Sequence, residues 1–472
     1  GDPARGYIMD IDGFLVESPI TWYASRKAWG MSPGYDQPNH LGFNRPITQL
    51  CVSCHSGRVE TIDDSLHKLR ISELTVSCEK CHGPGSLHVQ QREAKLDVGK
   101  GIDYTIVNPA NLSRELNESV CARCHLNGAA SVVLRGRFHR DFRPGLPLSD
   151  FRVDYRLDQP EASMKITGHF EQMRLSRCYT QTKTLTCTTC HNPHGRPEPA
   201  MKVEYFRKKC LSCHQDDAAC KLPDKPRLMK SPQNDCVQCH MPKAETEVPH
   251  LAFTHHRIGL NQKRKFEMPS QPGRLVPVSD VSRLSAIDQE RCLGLGHFLV
   301  ALSDNPFPED HRRRAFDLLT SAYEAGVRGP EAVATLAILS GPPRNVLLAK
   351  EALKRGQGYP QATSNALQVL GESYMTKQEW KDAVRVMEKM VKSLRHPKAW
   401  TYLAEARARS DDLEGAIAAM QQAVVLSGDR PELHAFLAQL YVKTGKPILA
   451  QKHFDLAERL AELQNSRNNR TP

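Results

Sequence analysis

The chain has 472 residues, 40% of them hydrophobic and 6% aromatic, and a formal charge of +11. That length exceeds one ordinary domain and suggests two or three. No run approaches the roughly 20 consecutive apolar residues that cross a bilayer, so no transmembrane segment is expected. The basic excess alone would suit a nucleic-acid binder, a reading that the cysteines remove.

Residues 1–50 carry aromatic and turn residues (Trp22, Tyr23, Trp29, Pro33, Gly34, Tyr35, Pro38) without a sustained period, and read as an irregular arm packed on the next segment. From Cys51 to His240 the pattern Cys-x-x-Cys-His occurs six times. The pairs are Cys51 and Cys54, Cys78 and Cys81, Cys121 and Cys124, Cys187 and Cys190, Cys210 and Cys213, and Cys236 and Cys239. His55, His82, His125, His191, His214 and His240 come directly after them in turn. The two thiols of such a unit can add across the vinyl groups of one haem, and the histidine can reach its iron. A single copy could be a thiol redox pair or half a zinc site, but six copies use twelve of the fifteen cysteines. The expectation is six covalently bound haem c groups, in a region of little regular structure with short helices at the motifs. Six haems bring about twelve propionates, which offset the basic charge, so no nucleic-acid partner is expected.

Between the third and fourth motifs, Ser131-Val-Val-Leu134 reads as a short strand. An arginine-rich segment succeeds it: Arg135, Arg137, Arg140, Arg143, Arg152 and Arg156. These arginines suit either propionate neutralisation or docking of an acidic redox partner. Residues 257–282, with Lys263, Arg264, Lys265, Pro269, Pro272 and Pro277, read as a linker. Beyond it, alanines recur at nearly equal intervals at Ala315, Ala349, Ala383, Ala416 and Ala450. One helical turn past each lies Leu319, Leu353, Met387, Met420 or Phe454. A period of about 34 is that of tetratricopeptide repeats. The fold expectation is therefore mainly α: a haem domain over 1–256, a linker over 257–282, an α-solenoid of about five repeats over 283–465, and a tail over 466–472.

The sixth coordination position of each iron decides the chemistry. Nine further histidines precede residue 257, and only five lie in the rest of the chain. The distal candidates are His40, His67, His88, His169, His194, His250 and His256. His139, amid arginines, reads as a surface residue, and only one of His255 and His256 is expected to ligate. Of the three spare cysteines, Cys178 and Cys220 form the candidate disulfide, with a thiolate iron ligand at Cys178 as the alternative. Cys292 reads as buried and inert in the first solenoid helix.

Three strings carry a family resemblance: Cys78-Glu-Lys-Cys-His-Gly-Pro-Gly-Ser-Leu-His88; Ser176-Arg-Cys-Tyr with Leu185-Thr-Cys-Thr-Thr-Cys-His-Asn-Pro-His194; and Cys236-Val-Gln-Cys-His-Met-Pro-Lys with Pro249-His250 and Thr254-His-His-Arg-Ile258. They resemble bacterial multihaem c-type cytochromes fused to tetratricopeptide repeats. The haem part is similar to the tetrahaem cytochrome of ammonia oxidisers and, more distantly, to hydroxylamine oxidoreductase. The resemblance implies parallel and perpendicular haem pairs, bis-histidine ligation with distal roles for His88, His194, His250 and His256, and the Cys178–Cys220 bridge. Members usually carry a further haem-binding segment upstream of the Trp22-Tyr23 region. Its absence here leads us to expect a processed chain or a haem supplied by another subunit, which His40 could serve.

Two functions suit this sequence. The first is an electron carrier, periplasmic or extracellular, whose repeats dock redox partner proteins or copies of itself, including in an extracellular filament. The second is a multihaem oxidoreductase acting on a small nitrogen or sulfur compound at one five-coordinate haem. Every motif ends in His rather than Lys, and the histidine surplus favours the carrier.

Overall fold

A computed structural model describes all residues except 1–3, 25, 37–39, 97, 98, 100, 159–167, 216–219, 246–251, 261–268, 304 and 469–472. The chain forms two compact units. One comprises Gly1–Val52, Arg58–Ser72 and Phe316–Pro472; the other comprises Ser53–Gly57 and Glu73–Ala315.

In the first unit the N-terminal residues are strands, which corrects the irregular arm. Ile8–Ile11 and Phe14–Glu17 pair as an antiparallel hairpin. Its turn places Asp12 and Gly13 at positive φ, with the Gly13 N–H donating to Asp10 Oδ1 at 2.8 Å. Ala4–Arg5, Ile20–Tyr23 and Ala28–Met31 form a second small sheet. These strands span two to four residues, and Tyr7, Ile8 and Trp29 stay exposed, so no alternation was long enough to read. A small core of Leu15, Ile47, Val52 and Leu69 closes the module. Its loops reach the repeats of the same unit: Ser65 Oγ donates to Ser393 O at 2.6 Å, and Arg395 donates to Asn44 Oδ1 at 2.8 Å.

The repeat helices run Pro330–Leu339, Arg344–Arg355, Pro360–Thr376, Trp380–Ser393, Pro397–Arg409, Leu413–Leu426, Pro431–Lys443 and Pro447–Asn468. The periodic alanines sit on the second helix of each pair, and Ala349, Ala383 and Ala416 are fully buried. Leu403 and Ala404 on one first helix, and Leu437 and Ala438 on the next, meet them from the other side. At Gly371 an added Cβ would lie 2.0 Å from Met387 Cε, so the Met387 side chain occupies the space a larger residue would need. The expected pattern lapses at the last helix, where Phe454 is exposed. This is a tetratricopeptide-type solenoid.

The second unit holds short helices at the motifs: Glu79–His82, Arg114–His125, Cys187–Cys190, Lys202–Leu211 and Cys236–His240. The expected strand is present as Ala130–Val133. It pairs antiparallel with Arg152–Leu157, which pairs in turn with Leu275–Pro277. Helix Ala286–Ala301 packs on this sheet, where a Cβ on Gly296 would stand 3.2 Å from the Tyr155 ring. The boundary expected at 257–282 is thereby corrected. Part of that segment is a sheet strand, and the helix carrying buried Cys292 belongs to the haem-motif unit. A three-residue strand between prolines has no linear signature, because only its partner strand defines it.

Candidate haem-binding site

Helix Arg114–His125 is the longest of the motif helices and is pinned from several sides. Ala122 and Leu126 enter a core with Phe142, Leu148, Phe151 and Phe170. The Arg152 guanidinium, 8% exposed, donates to Ala122 O and Arg123 O at 3.2 and 3.1 Å and pairs with Asp154 Oδ2 at 2.8 Å. Elsewhere the motif turns are capped locally. Asp235 Oδ1 accepts from Val237 N–H at 2.9 Å, and Thr186 with Thr189 closes a capping box around Cys187–Cys190.

Thiols of different motifs meet. The neighbouring Cys124 thiol pulls the Cys54 thiol down to about 5, against the opposing effect of burial. Cys210 does the same to Cys236, which falls to about 6, and Cys187 lowers Cys121. The first and third, third and fourth, and fifth and sixth motifs are thus neighbours in space, although the first and third are not neighbours in sequence.

The histidines converge as well. His82 and His194 stack with ring centroids 5.8 Å apart and planes 10° from parallel. His191 and His256 face each other at 6.1 Å and 28°. His125 and His169 stand 5.6 Å apart, edge to face, and His169 lies 4.3 Å from His256. Two histidines that would share one iron, with metal–nitrogen bonds of about 2 Å, would hold their centroids about 6 Å apart. The first two pairs fit that span.

The second nitrogens are held in the manner of metal-ligating histidines, which donate Nδ1–H to a fixed acceptor. His82 Nδ1 donates to Val107 O at 2.7 Å and His256 Nδ1 to Thr254 O at 2.9 Å. His88 Nδ1 lies 2.9 Å from the Asp103 carboxylate, which also takes Arg92 and is held well below the usual range, chiefly by the Thr105 hydroxyl and amide. In each case Nε2 is left for a metal. Burial pushes His169 down to about 3 and His256 to about 4, and also lowers His125 and His191. Neutral imidazole is the ligating form, so the residues fit a haem.

Other expected ligands lie elsewhere. His40 is exposed and accepts from Gly42 N–H through Nδ1 at 3.0 Å; it belongs to the repeat-bearing unit. His67 belongs to that unit too, 4% exposed, its buried Nδ1 without a partner and its pKa lowered to about 4, chiefly by burial. His250 lies outside the described residues. Cys178 and Cys220 are not joined in this structure. Burial raises the Cys190 thiol and the Cys236 contact raises that of Cys210, with nearby Cys178 adding to both.

Sequence reasoning misplaced His139. It is half-buried, and burial, with Arg152 and Arg123 adding to it, lowers it to about 4. Also missed was the buried Glu118, which pairs with Arg114 at 3.2 Å and accepts from the Tyr179 hydroxyl at 2.7 Å. The Arg114 guanidinium stacks 3.4 Å from that ring. Only the i,i+4 spacing of Arg114 and Glu118 was visible in advance.

With this geometry in view, the chain can be set beside known proteins. Residues 181–219 match the doubled CXXCH motif family. The chain is 24% identical over 194 residues to the multiheme cytochrome MtrA of Shewanella baltica, an alignment covering 36% of this chain and 54% of that protein. It is 25% identical over 227 residues to the dissimilatory sulfite reductase MccA of Wolinella succinogenes, covering 41% of this chain and 27% of that one. The chain thus carries a doubled CXXCH motif and is similar to multihaem c-type cytochromes. It spans about half the length of the first of these relatives and about a quarter of the second. Among solved structures, MamA from Desulfovibrio magneticus aligns at 21% identity with a TM-score of 0.33, over 38% of this chain and 99% of its own. A second MamA structure aligns at 13% and a TM-score of 0.29, over 39% of this chain and 98% of that one.

Proposed function

We propose that the chain is an electron-transfer cytochrome carrying six haem c groups, one at each motif, most of them ligated by two histidines. The observation that supports this most directly is the approach of His82 to His194 and of His191 to His256, with ring centroids 5.8 and 6.1 Å apart. Bound haem supplies a one-electron couple whose potential the axial ligands and surroundings set. The protein's part is to saturate iron, so that no substrate position remains, and to bring neighbouring motifs together for transfer between them. The thiol contacts Cys54–Cys124, Cys121–Cys187 and Cys210–Cys236 support that closeness.

Under this reading His88, His169, His194, His250 and His256 serve as distal ligands in the haem unit. The chain acts outside the cytoplasm, in the periplasm or beyond. The solenoid docks redox partners or further copies, a role that the exposed Ile448 and Leu463 of its last helix support. Among the described residues no helix is long and apolar enough to cross a membrane. The test is to count haems by intact mass on the holoprotein and to record electron paramagnetic resonance of the ferric form. Six haems with low-spin signals alone are expected. A stoichiometric high-spin signal would instead identify a five-coordinate haem and turn the reading toward an oxidoreductase.

A further inference from the structure

The segment Arg137–Arg143 is fixed rather than loose. Phe142 is 2% exposed and packs edge to face on Phe151 with centroids 5.6 Å apart, in the core shared with the third-motif helix. On this base three guanidinium groups face water. Arg137 lies 5.2 Å over the Phe151 ring and Arg140 lies 4.5 Å over Phe138. Arg143 donates to Arg140 O at 2.6 Å and Phe142 O at 3.0 Å. Among the described residues none of the three has a carboxylate within salt-bridge distance. The nearby acids are occupied: Asp141 accepts from Phe138 N–H at 2.8 Å, Asp150 lies 3.8 Å from Arg283, and Asp288 takes Arg135 at 3.2 Å. Arg123, next to Cys124 of the third motif, lies 5.6 Å over the ring of Phe142, the residue before Arg143. The cations therefore sit beside the helix of the third motif.

The side of the haem that faces them matters. Thioether bonds form at the vinyl edge of the macrocycle, and the propionates leave from the opposite edge. Cations beside the attachment cysteines thus face an edge that carries no propionate of its own haem. We propose that Arg137, Arg140 and Arg143 form a docking surface for the acidic face of a protein electron partner, which would exchange electrons with the haem of the third motif. This rests on the electron-transfer reading above. Unpaired, preorganised guanidinium groups steer an acidic partner by long-range attraction and then bind its carboxylates at little ordering cost.

The experiment uses the full holoprotein, with flavodoxin hydroquinone as an acidic protein donor and stopped-flow haem absorbance as the readout. For the parent protein the bimolecular rate should fall steeply with ionic strength. In the triple variant R137Q/R140Q/R143Q it should fall about tenfold at low salt and lose most of that salt dependence. Reduction by the small reductant dithionite and the haem midpoint potentials should stay unchanged. A variant that reacts with flavodoxin at the parental rate overturns the proposal. So does one whose potentials shift while the bimolecular rate holds, because the arginines would then be neutralising propionates. If the parent is reduced by dithionite yet never by a protein donor, the electron-transfer reading itself fails, separately from the docking surface.

Discussion

Replacing Asp154 with alanine strands the Arg152 guanidinium. That group is 8% exposed, its shortest contact is the 2.8 Å pair with Asp154, and the remaining ones are two carbonyls at the end of the third-motif helix. A buried charge deprived of its partner costs about 3–5 kcal/mol, because neither water nor two neutral acceptors replaces the carboxylate. Asp154→Asn keeps an acceptor and should cost less, about 1–3 kcal/mol. Removing both charges with R152M/D154L should recover most of the loss, since an apolar pair of similar volume escapes the desolvation penalty. The assay is hydrogen exchange of the Arg152–Leu157 strand in the holoprotein, which reads local opening without requiring two-state unfolding. Asp154→Ala should accelerate exchange there more than a hundredfold, and the double variant should lie much nearer the parent. If the double exchanges as fast as the single, the loss comes from packing and the electrostatic reasoning is wrong.

Three further outcomes are expected. His194→Ala should leave one iron five-coordinate, seen as a new high-spin ferric signal worth one haem, while the haem count by mass is unchanged. The buried pair His297–His311, with Nδ1 atoms 2.7 Å apart, gives a pH signature. Burial, then His311 and Arg314, lowers His297 to about 4. The unfolded state therefore takes up the proton first, near pH 6.5. Stability is full above that and is lost as pH falls toward 4, by at most about 3 kcal/mol. Exchange protection of Ala286–Ala301 should drop over that window in the parent and change less in His297→Gln. Gly371→Val should destabilise its helix pair by about 1–3 kcal/mol through collision with Met387, and Met387→Ala in the same chain should relieve part of that loss in a thermal melt.

The motifs were legible one by one because haem attachment is encoded locally, in five consecutive residues. The solenoid was legible because each repeat solves the same packing problem with its neighbours in sequence, so buried Ala349, Ala383 and Ala416 recur in phase. Facing imidazoles and touching thiols depend instead on distant segments returning to one place. His82 of the second motif meets His194, which lies beyond the fourth, and Cys54 of the first motif meets Cys124 of the third. The histidine inventory could rank His194 and His256 as candidates, but pairing them with particular motifs needed tertiary structure. The same holds for His139, which looked solvated among arginines until folding placed it near Arg123 and Arg152. Local sequence thus set where the motifs fall. Long-range packing decided which groups face each other, because a contact between remote residues leaves no mark on the spacing around either one.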